Sequence, residues 1–299
     1  MMQTKSVFFK IICLFILTAC QSLPDHFEAS KLGTIERDVT YCIMDNEALK
    51  MDINYPLTKQ QKWPVVIHIH GGGWTNGTKG FSDMANTEIL SKSGIMSVAV
   101  EYRLAPKYKF PAMIEDVKCA VRYLRAHAAE YNIDPSRFGV IGGSAGGHLA
   151  ALLGLTDATA GFDVGEYLAY PSNVQAVVDM YGSSNIAPPY TTHLFFDTMN
   201  VFGISNENDP IFIRSSPIHY VSPDSPPFLL IHGERDTTIP LFQSSLLFEK
   251  MQNEGISVEL IVVKNAGHNL LHRGNKGEIT PSIEQIKKEI FYFFTKSLK

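Results

Sequence analysis

Along most of the chain, short apolar runs alternate with longer stretches in which apolar residues recur every three or four positions. Residues 35–43 and 48–55 alternate apolar and polar side chains, the period of half-buried strands. Pro56 and the polar run 58–62 end the second of them. Residues 65–69, 95–100, 138–141, 174–180, 228–231 and 258–263 are compact apolar runs, as strands buried on both faces are. Helical spacing falls between them, at 83–93, 112–130, 148–155, 240–252 and 282–294. The second of these carries Ile114, Val117, Val121 and Leu124 on one face, just after Pro111, a residue suited to a helix start.

Strand alternating with helix predicts an α/β fold: a mostly parallel sheet covered by helices on both faces. The first two strands have no helix between them and predict an antiparallel start. One segment breaks the rhythm. Residues 183–227, after the sixth strand, hold many Pro, Asn and aromatic residues without a period, as a small lid or binding insert does. No repeat or linker divides 35–299, which is read as one domain.

The beginning of the chain has another pattern. Lys5 and Lys10 precede a short apolar run, 11–19, too short to cross a bilayer of about 30 Å as a helix. Leu17-Thr18-Ala19-Cys20 resembles a bacterial lipobox. The resemblance implies that 1–19 is a lipoprotein signal peptide, that Cys20 is lipidated, and that 20–34 is a tether to the cell envelope. Gln21 behind the cysteine implies the outer membrane where the source has one. The protein is then exported and held by acyl chains, not by a spanning helix. Of four cysteines, Cys42 and Cys119 remain beyond the leader. An oxidising compartment would permit a bond between them, but two buried thiols are the plainer expectation. A net charge of −4 argues against a nucleic-acid partner.

Candidate chemistry lies in four places. Gly142-Gly143-Ser144-Ala145-Gly146 matches G-x-S-x-G between a strand and a helix, the setting of a nucleophile elbow. A turn that tight needs small neighbours, and the helix N-terminus behind it favours developing negative charge. His70-Gly71-Gly72-Gly73-Trp74 follows a strand, and its glycines let backbone N–H groups approach a substrate. With the N–H of Ala145, those of Gly72 and Gly73 are candidates for an oxyanion hole. Asp236, in His232-Gly-Glu-Arg-Asp, and His268, in Ala266-Gly-His, each follow a strand's C-terminal end, where open α/β sheets bind ligands. Ser144, Asp236 and His268 are the candidate nucleophile, acid and base.

These motifs resemble the α/β-hydrolase superfamily over nearly all of 35–299. Glu101-Tyr-Arg-Leu-Ala-Pro106 and Phe110-Pro111…Asp116 are similar to the hormone-sensitive-lipase-like esterases. Gly143 and His148 depart from that branch's elbow, and His-Gly-Glu-Arg-Asp236 departs from its acid segment. Ser-Ala-Gly-Gly-His-Leu-Ala and His-Gly-x-x-Asp-x-x-x-Pro more closely resemble bacterial esterases allied to the bifunctional feruloyl and acetyl-xylan esterases. The resemblance implies a serine carboxylesterase acting on short-acyl esters, acyl groups on carbohydrates included, without a cofactor. It also implies that Asp116 pairs with Arg103 and braces the oxyanion loop. A peptidase or arylformamidase on the same triad and a non-catalytic binding module remain as alternatives.

Other residues carry less. His68 and His70, or His268 and His272 at i, i+4 on a helix, lack a third ligand, so no metal site is expected. His148 is assigned to elbow packing, and Asp134, Asp163 and Asp209 to turns and caps. Glu234 is the rival to Asp236. Oligomeric state is not legible.

Overall fold

The computed structural model describes residues 28–81, 87–187, 198–204, 206, 208–272 and 277–299. The leader 1–19, Cys20, most of the 20–34 tether, and Pro188 to Phe196 of the insert lie outside the described residues.

Eight strands form one sheet: β1 (Ile35–Met44), β2 (Glu47–Asn54), β3 (Trp63–Ile69), β4 (Met96–Val100), β5 (Ile133–Gly143), β6 (Ala176–Met180), β7 (Phe228–Gly233) and β8 (Val258–Val263). Their spatial order is β1-β2-β4-β3-β5-β6-β7-β8. β1 pairs antiparallel with β2, and β2 with β4; every later pair is parallel. The helices are α1 (Thr87–Lys92), α2 (Ala112–Ala126), α3 (Ala145–Leu155), α4 (Thr198–Phe202), α5 (Ile211–Arg214), α6 (Phe242–Asn253) and α7 (Ile283–Ser297).

Successive residues of the central strands face opposite sides, which makes two apolar layers. Val65, Ile67, Val98, Val140 and Val177 join α2, α3 and α6 through residues such as Val117, Leu149 and Leu247. Val66, Ile141, Val178 and Leu229 face the other way, onto Leu90 of α1 and Ile286, Ile290 and Phe294 of α7. Both faces are therefore covered, and only the strand ends remain for chemistry.

Boundaries differ from the sequence reading where tertiary contacts intervene. β5 starts at Ile133, five residues early, because Ile133 pairs with Trp63. α2 ends at Ala126, not 130, where the His127 ring caps the Tyr123 carbonyl and the chain turns toward β5. α3 starts at Ala145 through two glycines that resemble loop. The two thiols are corrected outright: Cys42 of β1 and Cys119 of α2 form a disulfide with Cα atoms 6.5 Å apart. Asp163 is no cap either. It pairs with Lys118 at 3.1 Å and Arg122 at 2.7 Å, so the polar side of α2 is buried under the 156–172 segment.

The insert lies between β6 and β7. Its described parts are α4, α5 and a 3₁₀ turn at Pro217–Tyr220. It is pinned at its base, where Gln243 Oε1 accepts from the N–H groups of Ser184 and Asn185. Phe202 is buried against Trp74 and Phe110, which makes it core.

Candidate active site

Four strand ends deliver the site. β5 runs into Ser144, whose φ of 57° and ψ of −121° lie in a region that non-glycine residues rarely occupy. The turn closes only because its neighbours have no side chain. A Cβ on Gly146 would lie 2.1 Å from the Ile69 carbonyl oxygen, and one on Gly142 would lie 2.2 Å from that of Gly146. The strain at Ser144 holds its hydroxyl clear of both strand and helix.

β7 ends at Gly233, and Asp236 follows in the loop. Its Oδ1 accepts from the backbone N–H groups of Thr238 at 2.8 Å and Ile239 at 3.0 Å. Its Oδ2 meets His268 Nδ1 at 2.7 Å. His268, in the turn after β8, places Nε2 3.0 Å from Ser144 Oγ. Ser144, His268 and Asp236, which are 124 and 32 residues apart along the chain, thus form one hydrogen-bonded line. Since Nδ1 donates to a carboxylate, Nε2 carries the lone pair and can take the serine proton. Burial works to raise the Asp236 pKa, but the hydrogen bonds from His232 and His268 outweigh it and hold the carboxyl well below the usual range. The Asp236 carboxyl is therefore ionised around neutral pH.

Glu234 does not compete. It is exposed, and its carboxylate accepts from the Asn265 N–H. His272 is also exposed and does not share a helix with His268, which sits in a 3₁₀ turn ending at Leu270.

The glycine loop closes over the elbow. A Cβ on Gly71 would lie 3.4 Å from the Ser144 Cβ. Gly72 and Gly73 follow with φ of 110° and 60°, and Ala145 opens α3 beside Ser144. The loop is braced from behind. The Tyr102 ring stacks on His70 at 4.2 Å and its hydroxyl donates to the His70 carbonyl at 2.9 Å. Arg103 is gripped by Asp116, with Nε 2.9 Å from Oδ1 and the Arg103 N–H 2.8 Å from Oδ2. The Ala105 N–H donates to the Trp74 carbonyl.

Two residues of the site escaped the sequence reading. His232 lies behind Asp236 and shares its Nε2–H between the Ile239 carbonyl at 2.8 Å and Asp236 Oδ2 at 3.4 Å. The motif contained it, but only geometry shows that it contacts the acid. Tyr181, with φ of 46°, sets its ring edge-on to His268 at 4.9 Å. Its position after β6 gave no signal. Among the described residues no group of three or more His, Cys, Asp or Glu is arranged to hold a metal, and no helix is long and apolar enough to cross a membrane.

The BD-FAE family model matches residues 51–251, more than half the chain. Esterase LipC of Mycobacterium tuberculosis is 32% identical over 211 residues, covering 69% of this chain and 52% of that protein. The chain spans about half the length of the first curated relatives it matches. An ethyl acetate hydrolase of Pseudomonas putida is 25% identical and is covered over 87% of its length by 89% of this chain. Among solved structures, a truncated form of a carbohydrate esterase from gut microbiota superposes with a TM-score of 0.76 at 28% identity, covering 90% of this chain and 98% of that one.

Proposed function

Because the chain belongs to the BD-FAE family and has the α/β-hydrolase fold, we propose that it is a serine carboxylesterase acting on short-acyl esters, acyl groups on carbohydrates among them. One observation carries the reading: the hydrogen-bonded line Ser144–His268–Asp236, built on a strained elbow. Ser144 Oγ attacks the ester carbonyl carbon while His268 Nε2 takes its proton. The carbonyl electron pair moves to oxygen, which the N–H groups of Gly72, Gly73 and Ala145 receive. The C–O bond to the alcohol then breaks, and His268 returns the proton to the leaving oxygen. Water, deprotonated by the same imidazole, attacks the acyl-enzyme and releases the carboxylic acid. Asp236 holds the imidazole in the working tautomer and stabilises the imidazolium.

Small acyl groups are supported by the likeness to an ethyl acetate hydrolase, and carbohydrate esters by the likeness to a carbohydrate esterase. Each CH₂ without an apolar wall forgoes about 0.8 kcal/mol. A p-nitrophenyl ester series should therefore peak between acetyl and butyryl in kcat/KM and fall by octanoyl; a rise through dodecanoyl would favour a lipase. Acetylated xylo-oligosaccharides turned over no faster than a simple acetyl ester would remove the carbohydrate part. A matched amide hydrolysed as fast as the ester would favour a peptidase or arylformamidase.

The proposal includes export and attachment to the cell envelope through an acylated Cys20, at the outer membrane where there is one. The buried Cys42–Cys119 disulfide supports folding in an oxidising compartment. Metabolic labelling with a fatty-acid analogue should mark the wild type and not Cys20→Ser. An unlabelled wild type would defeat the anchor.

A further inference from the structure

The loop that closes over Ser144 contains three successive residues with positive φ: Gly72 at 110°, Gly73 at 60° and Trp74 at 59°. Glycine adopts such angles freely, but a bulky aromatic residue does so only where its surroundings hold it. The Trp74 side chain is 1% exposed. Its indole Nε1–H donates to His148 Nδ1 at 3.2 Å. An indole nitrogen can only donate, so His148 Nδ1 is an acceptor and the imidazole proton sits on Nε2. That proton is donated to the main-chain oxygen of Ser215 at 2.7 Å. His148 is itself in the first turn of α3, where its backbone N–H bonds to the Ser144 carbonyl at 3.0 Å.

One neutral imidazole therefore joins three parts of the site: the glycine loop through Trp74, the elbow helix through its own backbone, and the insert through Ser215. The insert touches the same pair a second time. Phe202 of α4 packs edge-on against Trp74 at 5.1 Å and against His148 at 6.0 Å. Its neighbour Val201 accepts from the Phe110 N–H at 2.8 Å.

We propose that His148 is a positioning residue through which the seating of the insert sets the oxyanion loop. With α4 and Ser215 seated, Ser215 fixes the His148 ring, the ring fixes the Trp74 indole, and the indole holds Gly72 and Gly73 in the conformation that aims their N–H groups at the carbonyl oxygen. Neither His148 nor Trp74 touches the reacting atoms. The inference rests on the serine-esterase reading above.

The test uses His148→Phe, which fills the space but bonds to neither partner, Trp74→Phe, which keeps a ring but loses the donor, and the double variant. Three quantities are measured for each: kcat and KM on p-nitrophenyl acetate, Ki of a trifluoromethyl ketone that adds reversibly to the active serine, and the thermal midpoint. A misplaced loop should lower kcat by about ten- to a hundredfold. KM should stay within about twofold, and Ki should rise by the same factor as kcat falls, because analogue and transition state use the same hydrogen bonds. The double variant should lose no more than the worse single variant, since both break one connection. If His148→Phe does not fold, Trp74→Phe decides by the same numbers. Variants that lower only the thermal midpoint, with kcat and Ki unchanged, or losses that multiply in the double variant, would overturn the inference. A wild type that neither turns over the ester nor reacts with a fluorophosphonate would instead defeat the esterase reading beneath it.

Discussion

Replacing Asp236 with Asn exchanges one oxygen for an NH₂ group, and the structure dictates which one. Oδ1 accepts from two backbone N–H groups, those of Thr238 and Ile239. The amide oxygen must take that place, which puts NH₂ where Oδ2 faces His268 Nδ1 at 2.7 Å. Nδ1 then becomes the acceptor, the imidazole proton moves to Nε2, and His268 donates to Ser144 instead of accepting from it. The same inversion in another serine triad lowers kcat by about 10⁴, which is about 5 kcal/mol of barrier. The opposite amide orientation restores the tautomer but strands the N–H groups of buried Ile239 and half-buried Thr238, the first at about 1–3 kcal/mol and the second at less. It is therefore populated at no more than a few per cent, and the expected loss lies between about 30-fold and 10⁴-fold. Steady-state kcat on p-nitrophenyl acetate measures it, with a thermal melt to show that the variant folds. A loss under tenfold, or a comparable loss in Glu234→Gln, would refute the assignment of the acid.

Three further expectations concern the frame of the site. Arg103→Ala should destabilise the protein by about 3–5 kcal/mol in urea unfolding, because it leaves the fully buried Asp116 carboxylate without its cation; a loss below about 1 kcal/mol would refute the brace. Removing the Cys42–Cys119 bond by double Ser substitution should cost up to about 4.5 kcal/mol from its 77-residue span, and unchanged urea midpoints would show that the bond does not constrain the chain. Burial holds the His68 pKa down at about 3, below the unfolded value of about 6.5. His68 therefore adds stability at pH 7 that drains away as pH falls through 6.5, by about 2 kcal/mol at pH 5. Asp179, raised by burial to about 6, acts in the opposite sense. The comparison is thus between proteins: His68→Gln should lose less stability than wild type between pH 7 and pH 5, and equal losses would refute it.

The strands and the motifs of the candidate site were legible because both are local. Buried parallel strands are short runs of Val, Ile and Leu, and the elbow needs small residues at fixed offsets. Less local features were hidden. The polar Asp134–Arg137 stretch masks the start of β5, which only pairing with Trp63 reveals. Lys118 and Arg122 follow the helical period of an exposed face and are buried because a distant segment covers them. The Cys42–Cys119 bond depends on the distance between a strand and a helix, which no spacing encodes. His148 and His232 look alike in sequence as single histidines beside glycine. Their contacts differ, with Trp74 and Ser215 in one case and Asp236 in the other, all placed by the fold.

Labelling with a fluorophosphonate, followed by peptide mapping during hydrolysis of p-nitrophenyl acetate, tests the serine-esterase reading most directly. The label should fall on Ser144 alone, at the rate at which turnover is lost. Ser144→Ala should neither label nor turn over while keeping its thermal midpoint. A label on another residue, or turnover near wild type in Ser144→Ala, would contradict it.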